Sequence, residues 1–115
     1  MTVIIYHNPR CSKSRLTLAL LQERGLDLEI IEYLNNPPNA KTLDMLLKKL
    51  DLEPREFMRR NEATYSDLSL DDDALDRKFL IHAMIKNPIL IERPIVIANN
   101  QARLGRPPER VLEIL

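Results

Sequence analysis

Apolar residues change their spacing repeatedly along this chain, and the changes mark its elements. Thr2-Val3-Ile4-Ile5-Tyr6 is a β-branched and aromatic run that predicts a buried first strand. From Ser14 onward leucines recur at helical spacing, predicting a helix over about 12–24, its turns marked by Leu16, Ala19, Leu20 and Glu23. Gly25 is placed to end that helix as a C′ residue with positive φ. Leu28–Tyr33 predicts a second strand, and Asn35-Asn36-Pro37-Pro38 breaks regular structure. Asn39 then caps a helix over about 40–50 that carries Leu43, Leu46, Leu47 and Leu50 on one face.

Pro54 opens a short helix through Phe57 to Arg60. The acidic cluster Asp71-Asp72-Asp73 is expected in the first turn of a further helix over about 73–86, where carboxylates complement the dipole. Leu75, Phe79, Ala83 and Met84 are its expected core contacts, with His82 at the edge and Asn87-Pro88 as its stop. The last third changes period. Residues 94–97 and 101–104 predict two short strands around Asn99-Asn100. Arg106-Pro107-Pro108-Glu109 then opens a C-terminal helix with Val111, Leu112 and Leu115 as its apolar side. The order is βαβ, a helical middle over about 39–88, then ββα, within a single expected domain of 115 residues.

Lys and Arg number 17, as do Asp and Glu, so no global charge argues for nucleic acid or an acidic membrane surface. The N-terminus lacks a secretory pattern, and no apolar run approaches transmembrane length. A cytoplasmic protein is expected, bound neither to membrane nor to nucleic acid. One cysteine and two separated histidines do not make a metal-ligand cluster.

That cysteine, Cys11, lies in Tyr6-His7-Asn8-Pro9-Arg10-Cys11-Ser12-Lys13-Ser14-Arg15, between the first strand and the first helix. A thiol at a helix N-terminus meets unpaired N–H groups and the positive end of the dipole, both of which favour the thiolate. His7, Arg10, Lys13 and Arg15 are expected to add positive potential. Most lone cysteines are inert core residues; the polar and basic neighbours here point instead to an accessible nucleophile. Cys11-x-x-Ser14 has no second sulfur, so any two-electron reduction must take its second thiol from another molecule.

A βαβ–ββα order with a cysteine after strand one is that of a thioredoxin-like fold, and Pro94 falls where that fold places a cis-proline facing the cysteine. Nearly end to end, the chain resembles the glutaredoxin-coupled arsenate reductase family, in its short single-cysteine branch. The resemblance is carried by Tyr6-His7-Asn8-Pro9-x-Cys11, Tyr33-Leu34-x-x-Pro37-Pro38, Met58-Arg59-Arg60-Asn61-Glu62, Asn87–Ile91, Arg93-Pro94-Ile95-Val96 and Arg106-Pro107. It implies a four-stranded mixed sheet with a helical insertion. It makes Cys11 the nucleophile, gives His7 and Ser14 a part in favouring its thiolate, and makes Arg59, Arg93 and Arg106 the oxyanion-binding arginines. It further implies arsenate as substrate, glutathione as co-substrate, glutaredoxin as partner, no bound cofactor or metal, and a monomer. Gly105 stands where some arsenate-active members carry a second cysteine.

Two alternatives keep the scaffold. One is a glutathione-dependent thiol reductase of another substrate. The other is a non-enzymatic regulator that binds RNA polymerase, from a branch that carries Cys-x-x-Cys where this chain has Cys11-x-x-Ser14.

Overall fold

A computed structural model describes residues 2–115. The chain forms two compact units: one joins the residues up to Asn36 with Arg93–Leu115, and the other is Pro37–Glu92.

The first unit contains β1 (Thr2–His7), α1 (Ser12–Glu23), β2 (Asp27–Glu32), β3 (Ile95–Ala98), β4 (Gln101–Leu104) and a closing 3₁₀ helix, Pro108–Ile114. The sheet order is β2-β1-β3-β4. Strands β1 and β2 are parallel with Ile5 opposite Ile30, and β3 is antiparallel to β1 with Val96 opposite Ile5. Strand β4 returns antiparallel to β3 through Asn99 and Asn100, both at positive φ, as a tight hairpin of this twist requires. The sheet is therefore four-stranded and mixed, as expected.

Val3, Ile5, Val96 and Ala98 from the sheet pack with Leu21, Val111 and Ile114 in one cluster. Each large aliphatic side chain buried this way contributes about 1.5–3 kcal/mol. Gly25 follows α1 with φ +66, the expected C′ geometry.

The covered face of α1 is Ser14, Thr17 and Leu21, whereas Leu16 is 60% exposed and Ala19 is also exposed. Two of the three inward positions carry hydroxyls that bond locally, and a search for leucine periodicity passes over them. One expectation for this unit, the apolar side of the closing helix, is corrected. The closing helix is 3₁₀ and buries Val111 and Ile114, spaced by one three-residue turn, while Leu112 and Leu115 are only half-buried. Arg93–Pro94, the candidate position for a cis-proline, is cis, and Arg106–Pro107 is cis as well.

The second unit contains α2 (Ala40–Leu50), α3 (Pro54–Phe57), α4 (Ala63–Asp67), α5 (Arg77–Lys86) and a 3₁₀ turn, Pro88–Leu90. Asn39 Oδ1 accepts the Thr42 N–H at 2.8 Å, and Leu43, Leu46 and Leu47 are buried. Pro54 occupies the first turn of α3, which Glu53 and Glu56 close as a reciprocal capping box. Helix α4 was not anticipated; only five residues long, it falls below the window in which periodicity registers.

Helix α5 starts four residues later than predicted. Asp76 is its cap, accepting the Phe79 N–H at 2.8 Å. Asp71, Asp72 and Asp73 lie outside the helix, and Asp72 Oδ1 accepts the Ala74 N–H at 2.9 Å. The competing local bond explains the shift: an aspartate that closes its own turn leaves helix initiation to the next one along. Phe79 is 51% exposed rather than core, and Leu80, Ile81, Ala83 and Met84 are the buried face. His82 is exposed. Among the described residues no helix is long and apolar enough to cross a membrane.

Candidate active site

Strand β1 ends at His7, and the chain turns through Asn8-Pro9-Arg10 before α1 begins. Asn-Pro is a turn-initiating pair, and here the Cys11 N–H donates to the Asn8 carbonyl at 3.0 Å. The Asn8 side chain reinforces the turn, its Oδ1 accepting the Arg10 N–H at 3.0 Å. Arg15 reaches back from α1, with Nη1 donating to the Pro9 carbonyl at 2.9 Å. Sequence reasoning gave Asn8 no role beyond the motif, although Asn8-Pro9 was the available signal.

Cys11 occupies the N-cap of α1 with extended dihedrals (φ −95, ψ 122), and its side chain makes no capping bond. The sulfur is therefore not committed to the backbone. The amides of the first helical turn have no intrahelical acceptor, and that turn contains no acidic residue. A negative sulfur is favoured at this position by both facts. The expectation of an accessible thiol is corrected: Cys11 is buried, only 9% exposed.

His7 and Ser14 are brought together beside it. His7 Nδ1 lies 2.6 Å from Ser14 Oγ, and the Asn8 N–H donates to the same oxygen at 3.0 Å. Ser14 is fully buried and His7 is 6% exposed. This cluster ties the end of β1 to the first turn of α1, so the loop carrying Cys11 is fastened at both ends. Burial pushes His7 below the ordinary histidine value; the nearby Glu32 opposes the shift and Arg15 adds to it. At neutral pH the ring is neutral. Its expected contribution of positive potential is thus corrected to one of hydrogen bonding, and the cations of this segment are Arg10, Lys13 and Arg15.

The two flanks of the thiol loop differ. On the β3 side, Ile95 pairs with Tyr6, which brings Arg93 and Pro94 alongside the end of β1. Arg93 Nε and Nη1 are buried, and Arg106 Nη1 donates to the Arg93 carbonyl at 3.3 Å. The Gly105 N–H donates to the Pro94 carbonyl at 3.0 Å, holding the segment before Arg106 against the start of β3. Two of the three anticipated arginines, Arg93 and Arg106, are neighbours. Arg59 belongs to the second unit, where its N–H donates to the Leu90 carbonyl at 2.8 Å and its guanidinium pairs with Glu62.

On the β2 side, a cleft of about 290 Å³ opens at the carboxyl ends of β1 and β2. It is lined by His7, Asn8, Pro9, Arg10, Glu32, Leu34 and Asn35. Nothing in the sequence reading pointed to it, because its two walls are some twenty-five residues apart and meet only through the parallel register that sets His7 opposite Glu32.

The ArsC family model matches residues 6–114, which spans the thiol loop, all three arginines and the closing helix. This chain belongs to the ArsC family. Its ArsC relatives include the uncharacterized protein YfgD of Escherichia coli K12, 56% identical over 98% of this chain and 96% of that one. An arsenate reductase of Haemophilus influenzae is 47% identical over the full length of both chains. Among solved structures, the arsenate reductase from Vibrio cholerae superposes with a TM-score of 0.96 at 52% identity, covering 100% of this chain and 98% of that one. The ArsC fold seen here is the expected thioredoxin-like one.

Proposed function

We propose that this ArsC protein is a cytoplasmic enzyme that reduces arsenate to arsenite, with glutathione and glutaredoxin supplying the electrons. The observation that carries the reading is an uncapped thiol at the head of α1, with the Arg106 side chain reaching the Arg93 carbonyl just before β3. Full-length similarity to proteins named arsenate reductase supports it.

The chemistry follows from charge. Arsenate at neutral pH is largely a dianion, and a thiolate is itself an anion. Their approach requires guanidinium forks that bind the oxyanion and neutralise it. Arg93 and Arg106 take that role, joined by Arg59 on the strength of the family resemblance. The Cys11 thiolate sulfur bonds to arsenic and a hydroxyl leaves as hydroxide, which takes a proton from solvent to become water. Glutathione then forms a second As–S bond, its thiol proton leaving with another oxygen as water. A glutaredoxin thiolate attacks the glutathione sulfur; the As–S electron pair stays on arsenic, which becomes As(III), and the two external thiols leave as a disulfide. Hydrolysis of the remaining Cys11–As bond releases arsenite and restores the thiol. Covalent capture thus divides one two-electron reduction into smaller steps. His7 and Ser14 act by holding the loop so that the helix amides face the sulfur.

The test is arsenite formation with glutathione and glutaredoxin. Wild type is expected to turn over and Cys11→Ser to be inactive. Turnover by Cys11→Ser refutes the mechanism. Reduction of a disulfide substrate with no arsenite formation replaces arsenate with another substrate on the same thiol.

A further inference from the structure

The cleft at the carboxyl ends of β1 and β2 is poorly matched to the oxyanion. Glu32 stands on its wall, and a carboxylate there repels a dianion. Ligands of open α/β sheets commonly sit outside the carboxyl ends of parallel strands, which is where this cleft lies. Its charges are mixed: Arg10 on the thiol loop and Glu32 at the end of β2. The same lining includes Asn35 and the apolar residues Pro9 and Leu34, both exposed to solvent. A single turn, closed by the Cys11 N–H on the Asn8 carbonyl, separates this wall from the sulfur.

A ligand matched to such a lining carries a cation and an anion on a short polar backbone with methylene groups between them. It must also present its reactive atom toward Cys11, and the lone-thiol chemistry above demands that this atom be sulfur. We propose that the cleft is the seat of glutathione, with Glu32 taking the α-ammonium, Arg10 a carboxylate, and Pro9 and Leu34 the methylenes. The proposal rests on the glutathione-dependent reading of this same thiol. It divides the site by charge: the oxyanion lies on the β3 side against arginines, and the zwitterionic thiol on the β2 side. The glutathione sulfur then bonds to a Cys11-bound arsenic, the displaced oxygen leaving as water with the thiol proton.

The test has a binding arm and a kinetic arm. S-methylglutathione, which cannot react, is titrated into ¹⁵N-labelled wild type, Arg10→Gln and Glu32→Gln. Amide shifts confined to the Asn8–Arg10 and Leu34–Asn35 segments of wild type, and weakened in both variants, are expected. Shifts elsewhere only, or none, overturn the assignment. In the coupled assay, with glutaredoxin identical throughout, each variant is expected to raise the glutathione KM roughly threefold to tenfold. In Glu32→Gln the arsenate KM and the rate of Cys11 alkylation should not change, whereas Arg10→Gln, which also removes a cation from the thiol loop, is read through the glutathione KM and the titration alone. An unchanged glutathione KM alongside normal arsenate turnover removes the cleft's role and leaves the arsenate reading standing. Cleft shifts with S-methylglutathione in a protein that makes no arsenite support the cleft and overturn the substrate instead.

Discussion

Replacing Gly105 by alanine probes the contact that holds the Arg106 segment against the start of β3. A Cβ on Gly105 would sit 2.5 Å from Thr17 Oγ1, 2.8 Å from Pro94 Cγ and 3.1 Å from Thr17 Cγ2. The Thr17 hydroxyl cannot swing away freely, because it donates to the Lys13 carbonyl at 2.8 Å inside α1. The proline ring has little room to yield, since Pro94 is buried. Overpacking of this kind costs about 1–3 kcal/mol. Alanine also restricts the unfolded chain, which returns about 0.4–1 kcal/mol where the backbone is compatible. The clash wins, for a net loss of about 1–2 kcal/mol, or roughly 4–8 °C in melting temperature for a domain of this size. Because the displaced atoms include Pro94 and the segment leading to Arg106, arsenate kcat/KM should fall as well. Gly105→Cys, which places a larger side chain at the same point, should behave at least as badly. A double-mutant cycle with Thr17→Ala checks the cause: the two changes should couple by about 0.5 kcal/mol or more in the stabilising direction. Strict additivity, or an unchanged melting temperature in Gly105→Ala, would refute the reasoning.

Four further outcomes are expected. His7 titrates below its unfolded value of about 6.5, so the unfolded chain binds the extra proton first. Its contribution is therefore complete above that pH and is lost as the pH falls through the lower folded value; urea titrations should show the stability gap between wild type and His7→Gln narrowing below pH 6.5. Ser14→Ala strands the Asn8 N–H and removes the partner of His7 in a buried setting, and should cost about 2–4 kcal/mol in denaturant unfolding. Asp76→Ala should cost about 1 kcal/mol as the loss of a true helix cap, whereas Asp71→Ala should stay within about 0.5 kcal/mol. Arg106→Lys keeps the charge and loses the planar fork, so arsenate kcat/KM should drop about tenfold or more with little change in melting temperature.

The strands were readable because β1 and β3 are short apolar runs bounded by turn residues, and the Asn99-Asn100 hairpin announces its own geometry. Cys11 was readable because a thiol among Arg10, Lys13 and Arg15 departs so plainly from the apolar setting of an inert cysteine. The site's internal bonds were not. Whether Ser14 faces inward or outward depends on the phase of α1, which the leucine spacing alone does not set. The neutral state of His7 depends on burial, which no local stretch of sequence encodes. Asp71-Asp72-Asp73 misled because composition favours helix starts wherever carboxylates gather, while the bond that decides the start belongs to Asp76. The cleft needed the register of β1 on β2, a relation between distant segments.

The discontinuity of the first unit has a consequence for synthesis. Strand β1 is central, yet its β3 neighbour lies beyond the whole of Pro37–Glu92. As the chain leaves the ribosome, β1 can meet β2 at once, but one side of its hydrogen-bonding ladder stays open until Arg93–Leu115 emerges. A nascent chain therefore carries a long-range closure as its last step, with the loop entropy and slow kinetics such pairings bring. The uninterrupted stretch Pro37–Glu92 has its internal partners in hand earlier. Arg93 and Arg106 are supplied by the final segment to be translated, so the pair assigned to the oxyanion is delivered by the same event that completes the sheet. A truncated product keeps the thiol but lacks that pair, which makes the finished sheet a checkpoint on the chemistry.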